Sequence, residues 1–383
     1  MKNTIEQMIA YLTSHYSLRY NAVKNCTEYR PTGTASEYLP LDLRKTNSMA
    51  IEVRTNGIDA TLNEVRCFLN SAHIRLFNPI HDYLAQCEGT WDGTDHIGKL
   101  ADCVSTSAPL WRKWFTTWFL AMVAQWRDSS KRLYGNSIAP LLISPQGYNK
   151  STFCRNILPP ELSWGYTDGL LIEEKKQVMQ AMTQMLLINL DEFNQISANV
   201  QQGFLKNIIQ MPAIKIKRPH GRTIEELPRT ASFIATSNMT DILSDPSGNR
   251  RFIGIELSRP IDVSSPIDHR QLYAQALQLL HNGQQYWFDM RETQRIMQWN
   301  HRYEMQDPTE QYFHMYFEPA KDEEEGQYLS AAEIYDTMKR HIGSILKISS
   351  LLSFGRKLSN MPELKHRRFM SGTKYLVKPL HKQ

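Results

Sequence analysis

A lysine and two hydroxyl side chains stand together where an apolar run gives way to a predicted helix, in IAPLLISPQGYNKSTFCRNIL (138–158). In a strand, loop and helix of this kind, backbone amides surround phosphates, the lysine contacts the β- and γ-phosphates, and the next hydroxyl holds Mg²⁺. The pattern predicts that Lys150 and Ser151 bind ATP and Mg²⁺. The residues expected to complete the phosphate site are Gln146, Gly147, Tyr148, Asn149 and Thr152.

This loop departs from the usual spacing GxxxxGK[ST], because Ser144 and Asn149 stand at the two glycine positions. Asparagine tolerates a positive φ better than other residues apart from glycine, so we expect the loop to close. A strand, loop and helix with a surface lysine is common, and the motif alone does not establish a nucleotide site. The missing glycines leave open whether hydrolysis is retained.

Two further apolar runs end in polar residues. MLLINLDEF (185–193) predicts a strand ending at Asp191 and Glu192, and ASFIATSN (231–238) predicts one ending at Asn238. The carboxyl edge of a parallel sheet is where α/β folds bind ligands. We expect Asp191 to bind Mg²⁺, Glu192 to polarise the attacking water, and Asn238 to contact the γ-phosphate or that water. Each could instead be an ordinary solvated strand end or turn.

Paired arginines, Arg250 and Arg251, follow in SGNRRF (247–252), between a Gly-Asn turn and an apolar run. A guanidinium there could neutralise the charge that develops in phosphoryl transfer, as a finger reaching a neighbouring subunit's site. Alone, the pair could be surface charge. Four signals in this order, each beside an apolar run, favour a phosphoryl-transfer site with Lys150, Glu192, Asn238 and an arginine as its catalytic groups.

A basic hairpin is predicted between the Asp-Glu run and the Asn238 run. IKIKRPHGRTIEELPR (214–229) has two alternating stretches around a turn, and its tip would carry Lys217, Arg218, His220 and Arg222. Such a loop is suited to contact a nucleic-acid backbone in a central channel. An ordinary solvated hairpin is the alternative.

Positive charge is concentrated at the C-terminal end. The net charge is +5, but residues 329–383 hold eleven Lys/Arg against three Asp/Glu, a local balance of +8. A helix capped at Ser330, a second helix near 349–358 and two short strands around a Ser-Gly-Thr turn predict a winged-helix-like unit that binds nucleic acid. Its basic side chains would be Arg356 and Lys357 on the second helix, and Lys365, Arg367, Arg368 and Lys374 on the wing. A merely soluble basic surface is the alternative.

Composition excludes several other classes. The run from Trp111 to Trp126 contains two charged residues and is too short to span a bilayer, so it is expected to be a buried helix. The N-terminal residues lack a signal-peptide pattern. The five cysteines are scattered and form no CxxC pair, which favours reduced thiols in the cytoplasm over a zinc site.

The pattern of apolar runs predicts an α/β protein of several parts. Residues 1–75 are expected to form an α+β region, with a helix near Thr4–Ser14 and strands at 17–23 and 49–58. Residues 76–135 are expected to be helical. Residues 136–305 would form the ATPase core with a helical extension, and FEPAKDEEEGQ (317–327) marks a linker over 306–328. The basic winged-helix-like domain would occupy 329–383.

From about Phe77 to Leu257 the chain resembles the virulence-associated E family of P-loop ATPases, relatives of superfamily 3 helicases found in phages and mobile elements. The resemblance rests on NPIHDYL, TWDGTDHIGKLADCV, PQGYNKSTF, INLDEF, KIKRPHGRTIEELPR, ATSN and DPSGNRRF. It implies an AAA+-like P-loop core, ATP and Mg²⁺ as ligands, a hexameric ring, and movement on DNA. It also implies the roles given above for Lys150, Ser151, Asp191, Glu192, Asn238 and the arginines, with Lys217–Arg222 as the DNA-contacting loop.

These observations favour a DNA-dependent ATPase, a replicative helicase-like motor that acts on single-stranded or forked DNA as a homo-oligomeric ring. The rival hypothesis is a nucleotide- and DNA-binding scaffold or regulator that does not hydrolyse ATP. Turnover of ATP by the purified protein would distinguish the two.

Overall fold

A computed structural model describes residues 4–127, 135–172, 174–217, 223–244, 249–305, 308–343, 350–361, 363–370 and 372–380. The chain divides into two compact units, Met1–Glu304 and Met305–Gln383. The helices of the first unit are α1 Thr4–His15, α2 Leu43–Thr55, α3 Leu62–Leu69, α4 Pro79–Cys87, α5 His96–Asp102, α6 Trp111–Trp126, α7 Lys150–Asn156, α8 Lys175–Gln184, α9 Ala198–Val200, α10 Lys206–Ile208, α11 His269–His281 and α12 Met290–Asn300. Its strands are β1 Tyr16–Asn21, β2 Cys26–Pro31, β3 Leu39–Pro40, β4 Leu76–Phe77, β5 Ala139–Ile143, β6 Tyr166–Thr167, β7 Leu187–Leu190, β8 Ala213–Ile216, β9 Glu225–Pro228, β10 Ser232–Ser237 and β11 Phe252–Glu256.

A five-stranded parallel sheet forms the centre of the first unit, with strand order β11-β5-β10-β7-β6. Strands β5, β7 and β10 are buried along their whole length, as expected for a parallel sheet covered on both faces. Leu142 and Ile234 pack on one face with α6 and α11, whereas Leu141 and Phe233 pack on the other with α8. The chain is therefore a mixed α/β protein. The strand before Asn238, β10, lies between the strand before Ser144, β5, and the strand before Asp191, β7.

The N-terminal region forms its own sheet, in the order β3-β2-β1-β4, with a core shared by α1, α2 and α3. The predicted first helix and the strand near residues 17–23 are present as α1 and β1. The predicted strand at 49–58 is wrong, because most of this stretch belongs to α2. Asp42 caps this helix by accepting from the Lys45 amide, and its buried residues Thr46, Met49, Ala50 and Val53 follow helical spacing.

The helices between residues 79 and 126 pack against the central sheet. Helix α6 is buried over nearly its whole length, as predicted, and the Trp118 indole N–H donates to the Phe233 carbonyl of β10 at 3.1 Å. One apolar core extends from Ile80 to Ile296 and continues across the boundary expected near residue 135, whereas the core of residues 8–74 is a separate cluster within the same compact unit. No helix among the described residues is both long and apolar enough to cross a membrane.

A π-helical turn and a hairpin lie between β7 and β10 along the chain. The turn, Gln201–Leu205, is flanked by α9 and α10, and the antiparallel pair β8–β9 follows. Arg229, at the base of the hairpin, is fully buried and donates to the carbonyls of Ile209, Ala231 and Asn136. These bonds attach the base of the hairpin to the segments that precede β5 and β10.

The described residues of the second unit form three helices and a small antiparallel sheet, in which β15 pairs with β12, β13 and β14. Its elements are α13 Pro308–Tyr316, β12 Phe317–Pro319, β13 Gln327–Ser330, α14 Ala331–Ile342, α15 Leu351–Asn360, β14 His366–Phe369 and β15 Gly372–Pro379. The N-cap predicted at Ser330 is present at the start of α14, where Ser330 and Glu333 form a capping box. The linker predicted over 306–328 is wrong for its first half, because Phe313 and Phe317 are buried in this unit's core.

Candidate nucleotide site

The loop that follows β5 closes through two left-handed residues. Gly147 has φ 81°, and Asn149 has φ 61° and ψ 21°, the conformation expected of it from the sequence. The Asn149 side-chain amide donates to the Ile261 carbonyl at 3.0 Å, and the Ile261 backbone N–H donates to the Tyr148 carbonyl at 3.1 Å. Asparagine therefore supplies the backbone geometry of the missing glycine and also ties the loop to the segment after β11.

Lys150 begins α7 and turns back over the loop. Its ammonium group donates to the Ser144 carbonyl at 2.7 Å, the Ser144 hydroxyl at 2.8 Å and the Pro145 carbonyl at 3.0 Å. Burial lowers the pKa of Lys150, and the nearby Asp191 carboxylate opposes that shift. Ser144, which replaces a glycine in the motif, thus contributes two of the three oxygens that hold the lysine.

Asp191 is the first residue after β7 and lies opposite the start of α7. Its carboxylate accepts from the Ser151 hydroxyl at 3.5 Å and from the Thr236 hydroxyl of β10. Glu192 has φ 48°, and its carboxylate accepts from the Gln195 amide. A positive φ costs free energy in a residue other than glycine, and such residues gather at functional sites. Among the described residues, three non-glycine positions have positive φ, and Asn149 and Glu192 are two of them.

One cavity of about 320 Å³ brings these groups together. Every residue predicted for the phosphate site lines it, as do Asp191, Glu192 and Asn238. Its remaining lining residues, Thr236 and Ser237, were missed in the sequence, where they stand inside an apolar run. Thr236 orients the Asp191 carboxylate, and the Ser237 hydroxyl bonds Asn194 at 3.3 Å. Two hydroxyl residues directly before Asn238 at the end of an apolar run were the feature from which they could have been predicted.

The two arginines before β11 have different surroundings. Arg251 is 7% exposed, and its guanidinium donates to the Lys206 carbonyl of α10 at 3.1 Å. Arg250 is exposed, and it is not among the residues that line the 320 Å³ cavity. Of the pair, Arg250 has the accessibility that a finger requires, while Arg251 has a contact that supports the fold.

The predicted nucleic-acid contacts are only partly described. Lys217 is exposed at the end of β8, whereas Arg218, His220 and Arg222 lie outside the described residues. In the second unit Arg356 and Lys357 are exposed on α15, and Arg367 and Arg368 are exposed on β14. Lys374, on β15, is half-buried and lies directly across from Arg367 in the strand register.

Comparisons with known proteins give a family and a fold. The model of the virulence-associated protein E-like domain matches residues 84–305, and that of a domain of unknown function from B. theta (DUF3874) matches residues 306–377. No curated protein matches the chain.

Among solved structures, the C-terminal region of NrS-1 is similar at 12% identity and a TM-score of 0.51, over 99% of this chain and 100% of that one. The SCCmec type IV Cch active helicase is matched at 8% identity and a TM-score of 0.37, over 95% and 93% of the two chains. The residues of the 320 Å³ cavity all lie inside the matched domain, which covers more than half of the chain. The chain therefore belongs to the virulence-associated protein E-like family.

Proposed function

We propose that this protein is a nucleic-acid-dependent ATPase, a helicase-like motor of a phage or mobile element. The observation that carries the proposal is the 320 Å³ cavity, in which a closed phosphate loop, two adjacent carboxylates and Asn238 meet at one edge of a parallel sheet. Such an edge is where α/β folds bind ligands, and the residue types there suit a phosphorylated one.

The residues fit a magnesium nucleotide. The Lys150 ammonium is already surrounded by three oxygens, so phosphate oxygens are suitable replacements for them. The Ser151 hydroxyl and the Asp191 carboxylate lie 3.5 Å apart and supply the oxygen ligands that Mg²⁺ prefers. A bound Mg²⁺ would neutralise charge on the phosphates. Lys150, Ser151 and Asp191 would hold the nucleotide and metal without rearranging the strands.

Hydrolysis would depend on Glu192. Its carboxylate follows Asp191 at the cavity and can accept a proton from a water molecule held near the γ-phosphate. Gln195 fixes one carboxylate oxygen by donating to it, which leaves the other for water. Asn238 directly follows the strand that lies between the loop strand and the carboxylate strand, so it is placed to hydrogen-bond the same water or the γ-phosphate.

Replacing Glu192 with glutamine should slow ATP turnover by about 10²- to 10⁴-fold while Mg-ATP binding is retained. The amide keeps the size and the hydrogen bonding of the side chain but cannot take a proton. Phosphate release, measured with and without single-stranded DNA, would test the prediction beside a nucleotide-binding titration. Glu161→Gln, exposed between α7 and β6 and outside the cavity, is a suitable control. Wild-type protein that binds ATP but releases no phosphate would favour the rival scaffold.

The second unit supports nucleic acid as the partner. Arg367 and Lys374 are register partners across β14 and β15, and both cations lie over the Phe369 ring, at 5.8 and 5.7 Å. Like charges directly opposite each other on a sheet are destabilising, and a polyanion would offset the repulsion. Two helices followed by this hairpin agree with a winged-helix unit. An AAA+-like ring of several subunits is part of the same proposal.

Removing both charges with Arg367→Gln and Lys374→Gln should weaken DNA binding and lower its log–log salt dependence by about 0.7 to 0.9 per lost phosphate contact. The melting temperature should stay the same or rise, because the repulsion is relieved. Lys339→Gln with Arg340→Gln removes equal charge from α14 of the same unit and serves as the control. An unchanged salt dependence would mean that the β14–β15 hairpin binds another partner.

A further inference from the structure

A second cavity, of about 530 Å³, shares no lining residue with the nucleotide cavity. Its walls come from five parts of the first unit: the turn between β1 and β2, the start of α4, the end of α6, helix α8, and both strands of the β8–β9 hairpin. We call it the hairpin cleft. Its volume lies within the range of about 300–1,000 Å³ that holds small ligands.

The ionisable side chains that line the hairpin cleft in the described part of the chain are basic. Lys24, His81 and Arg127 line it, and no aspartate or glutamate is among its lining residues in the described part of the chain. His81 and Arg127 are exposed. The Lys24 ammonium is half-buried, 3.7 Å from Glu28 and 4.9 Å from the centre of the Trp164 ring, so its charge is partly balanced. A concave wall with basic groups and without acidic ones attracts an anion.

A buried tryptophan also lines this cleft. Trp126 is 2% exposed, and its ring stacks on Tyr273 with centroids 5.4 Å apart. Within the described residues, its indole N–H has no acceptor. A buried donor without a partner costs free energy. Helix α8 adds the amides of Gln180 and Gln184, the type of group that reads the edges of unpaired bases.

The cleft adjoins the strands of the hairpin that carries the predicted nucleic-acid loop. Ile216 and Leu227, from the two strands of the hairpin, form part of its wall. Lys217, which directly follows β8, is exposed. A strand that contacts Lys217 would therefore lie beside the cleft at the base of the same hairpin.

We propose that the hairpin cleft binds one or two nucleotides of single-stranded nucleic acid. The phosphates lie toward Lys24, His81 and Arg127, and a base lies against the side-chain amides of α8. The inference rests on the proposed function, because it assumes that the protein engages a strand. The inference adds that the strand runs past α8. Binding by the predicted loop or by the second unit would not by itself imply this path.

Charge placed at Gln180 tests this path. Gln180 is exposed on α8 and lines the cleft, whereas Gln177 is exposed on the same helix and does not line it. Glutamate and lysine would each be substituted at Gln180 and at Gln177. Binding of a fluorescent oligothymidylate to each full-length variant and to wild type would be measured at about 50 mM salt. We expect Gln180→Glu to weaken binding about five- to tenfold and Gln180→Lys to strengthen it by a similar factor. The log–log salt slope should rise by about 0.7 for Gln180→Lys.

The Gln177 variants should match wild type, and all four proteins should keep its melting temperature and ATP affinity. Equal effects at both positions would reflect general electrostatics and would overturn the proposal. Unchanged affinity in both Gln180 variants, with a wild type that binds the strand, would overturn the cleft assignment alone. A wild type that hydrolyses ATP but binds no strand would overturn the cleft together with the nucleic-acid part of the proposed function.

Discussion

Replacing Lys150 with alanine is expected to weaken Mg-ATP binding by at least about 100-fold and to abolish hydrolysis. Lys150 is the only cation in the loop from Ser144 to Thr152, and its ammonium lies among three oxygens that the β- and γ-phosphates would replace. No neighbouring cation lines the same cavity among the described residues, so none can take over its position. A titration with a fluorescent ATP analogue would measure the loss.

Arg155→Ala is the matched control for this variant. Arg155 lies on the same helix α7, is exposed, and pairs with Asp168 at 3.1 Å outside the cavity. Its removal changes the net charge by the same amount, and we expect nucleotide affinity close to wild type. Lys150→Met, which keeps most of the apolar stem, would separate loss of charge from loss of packing. Equal affinity for wild type and both Lys150 variants would show that the phosphate-loop assignment is wrong.

Replacing Arg250 with alanine is expected to slow hydrolysis by about 10³-fold or more while nucleotide binding is retained. Arg250 lies just before β11, the edge strand of the sheet, whereas the nucleotide cavity lies at the carboxyl ends of β5, β7 and β10. The five residues of β11, at about 3.3 Å each, separate the two ends by roughly 16 Å. Arg250 is therefore remote from the phosphate loop of the same chain, and in a ring of subunits it would be accessible to a neighbouring loop.

A mixing experiment tests action between subunits. Lys150→Ala and Arg250→Ala proteins should each be inactive, but a mixed ring contains some interfaces with an intact loop and an intact arginine. This head-to-tail arrangement is the one that closes into rings. Partial recovery of ATPase activity on mixing is the expected outcome. No recovery in rings shown to have exchanged subunits, or full activity in a protein that stays monomeric, would contradict it.

Arg270→Ala is the control for the arginine variant, because Arg270 is exposed on α11 and does not line the cavity. Arg251→Ala is expected to behave differently from both. Its side chain is buried and donates to the Lys206 carbonyl, so its loss should lower the melting temperature as well as activity. Measuring both properties would separate the two arginines, which stand side by side in the sequence.

Local features of the sequence determined much of the candidate site. Apolar runs predicted β5, β7 and β10 because strands buried on both faces are continuous apolar segments. The residues just after these runs were predictable as site residues, because parallel strands bring their carboxyl ends to one edge. The positive φ of Asn149 was also predictable, since it follows from the residue type and the spacing of the loop.

Patterns that suit more than one structure were not resolved by sequence. Residues 49–58 alternate as a strand would, yet Met49, Ala50 and Val53 also lie on one face of a helix, and the cap at Asp42 together with packing against α1 and α3 selects the helix. The acidic stretch after Pro319 suggested a long linker, but Phe313 and Phe317 bury their rings in the second unit. Burial depends on partners distant in the chain, which local composition does not contain.

The tertiary structure alone distinguished Arg250 from Arg251, since only packing against α10 shows which guanidinium is buried. It likewise revealed Ser144 as a partner of Lys150, and Thr236 as the residue that orients Asp191. The hairpin cleft is wholly a product of folding, because its walls come from segments more than 200 residues apart. Sequence determined which side chains could do chemistry, and the three-dimensional arrangement decided which of them face one another, since long-range packing sets those distances.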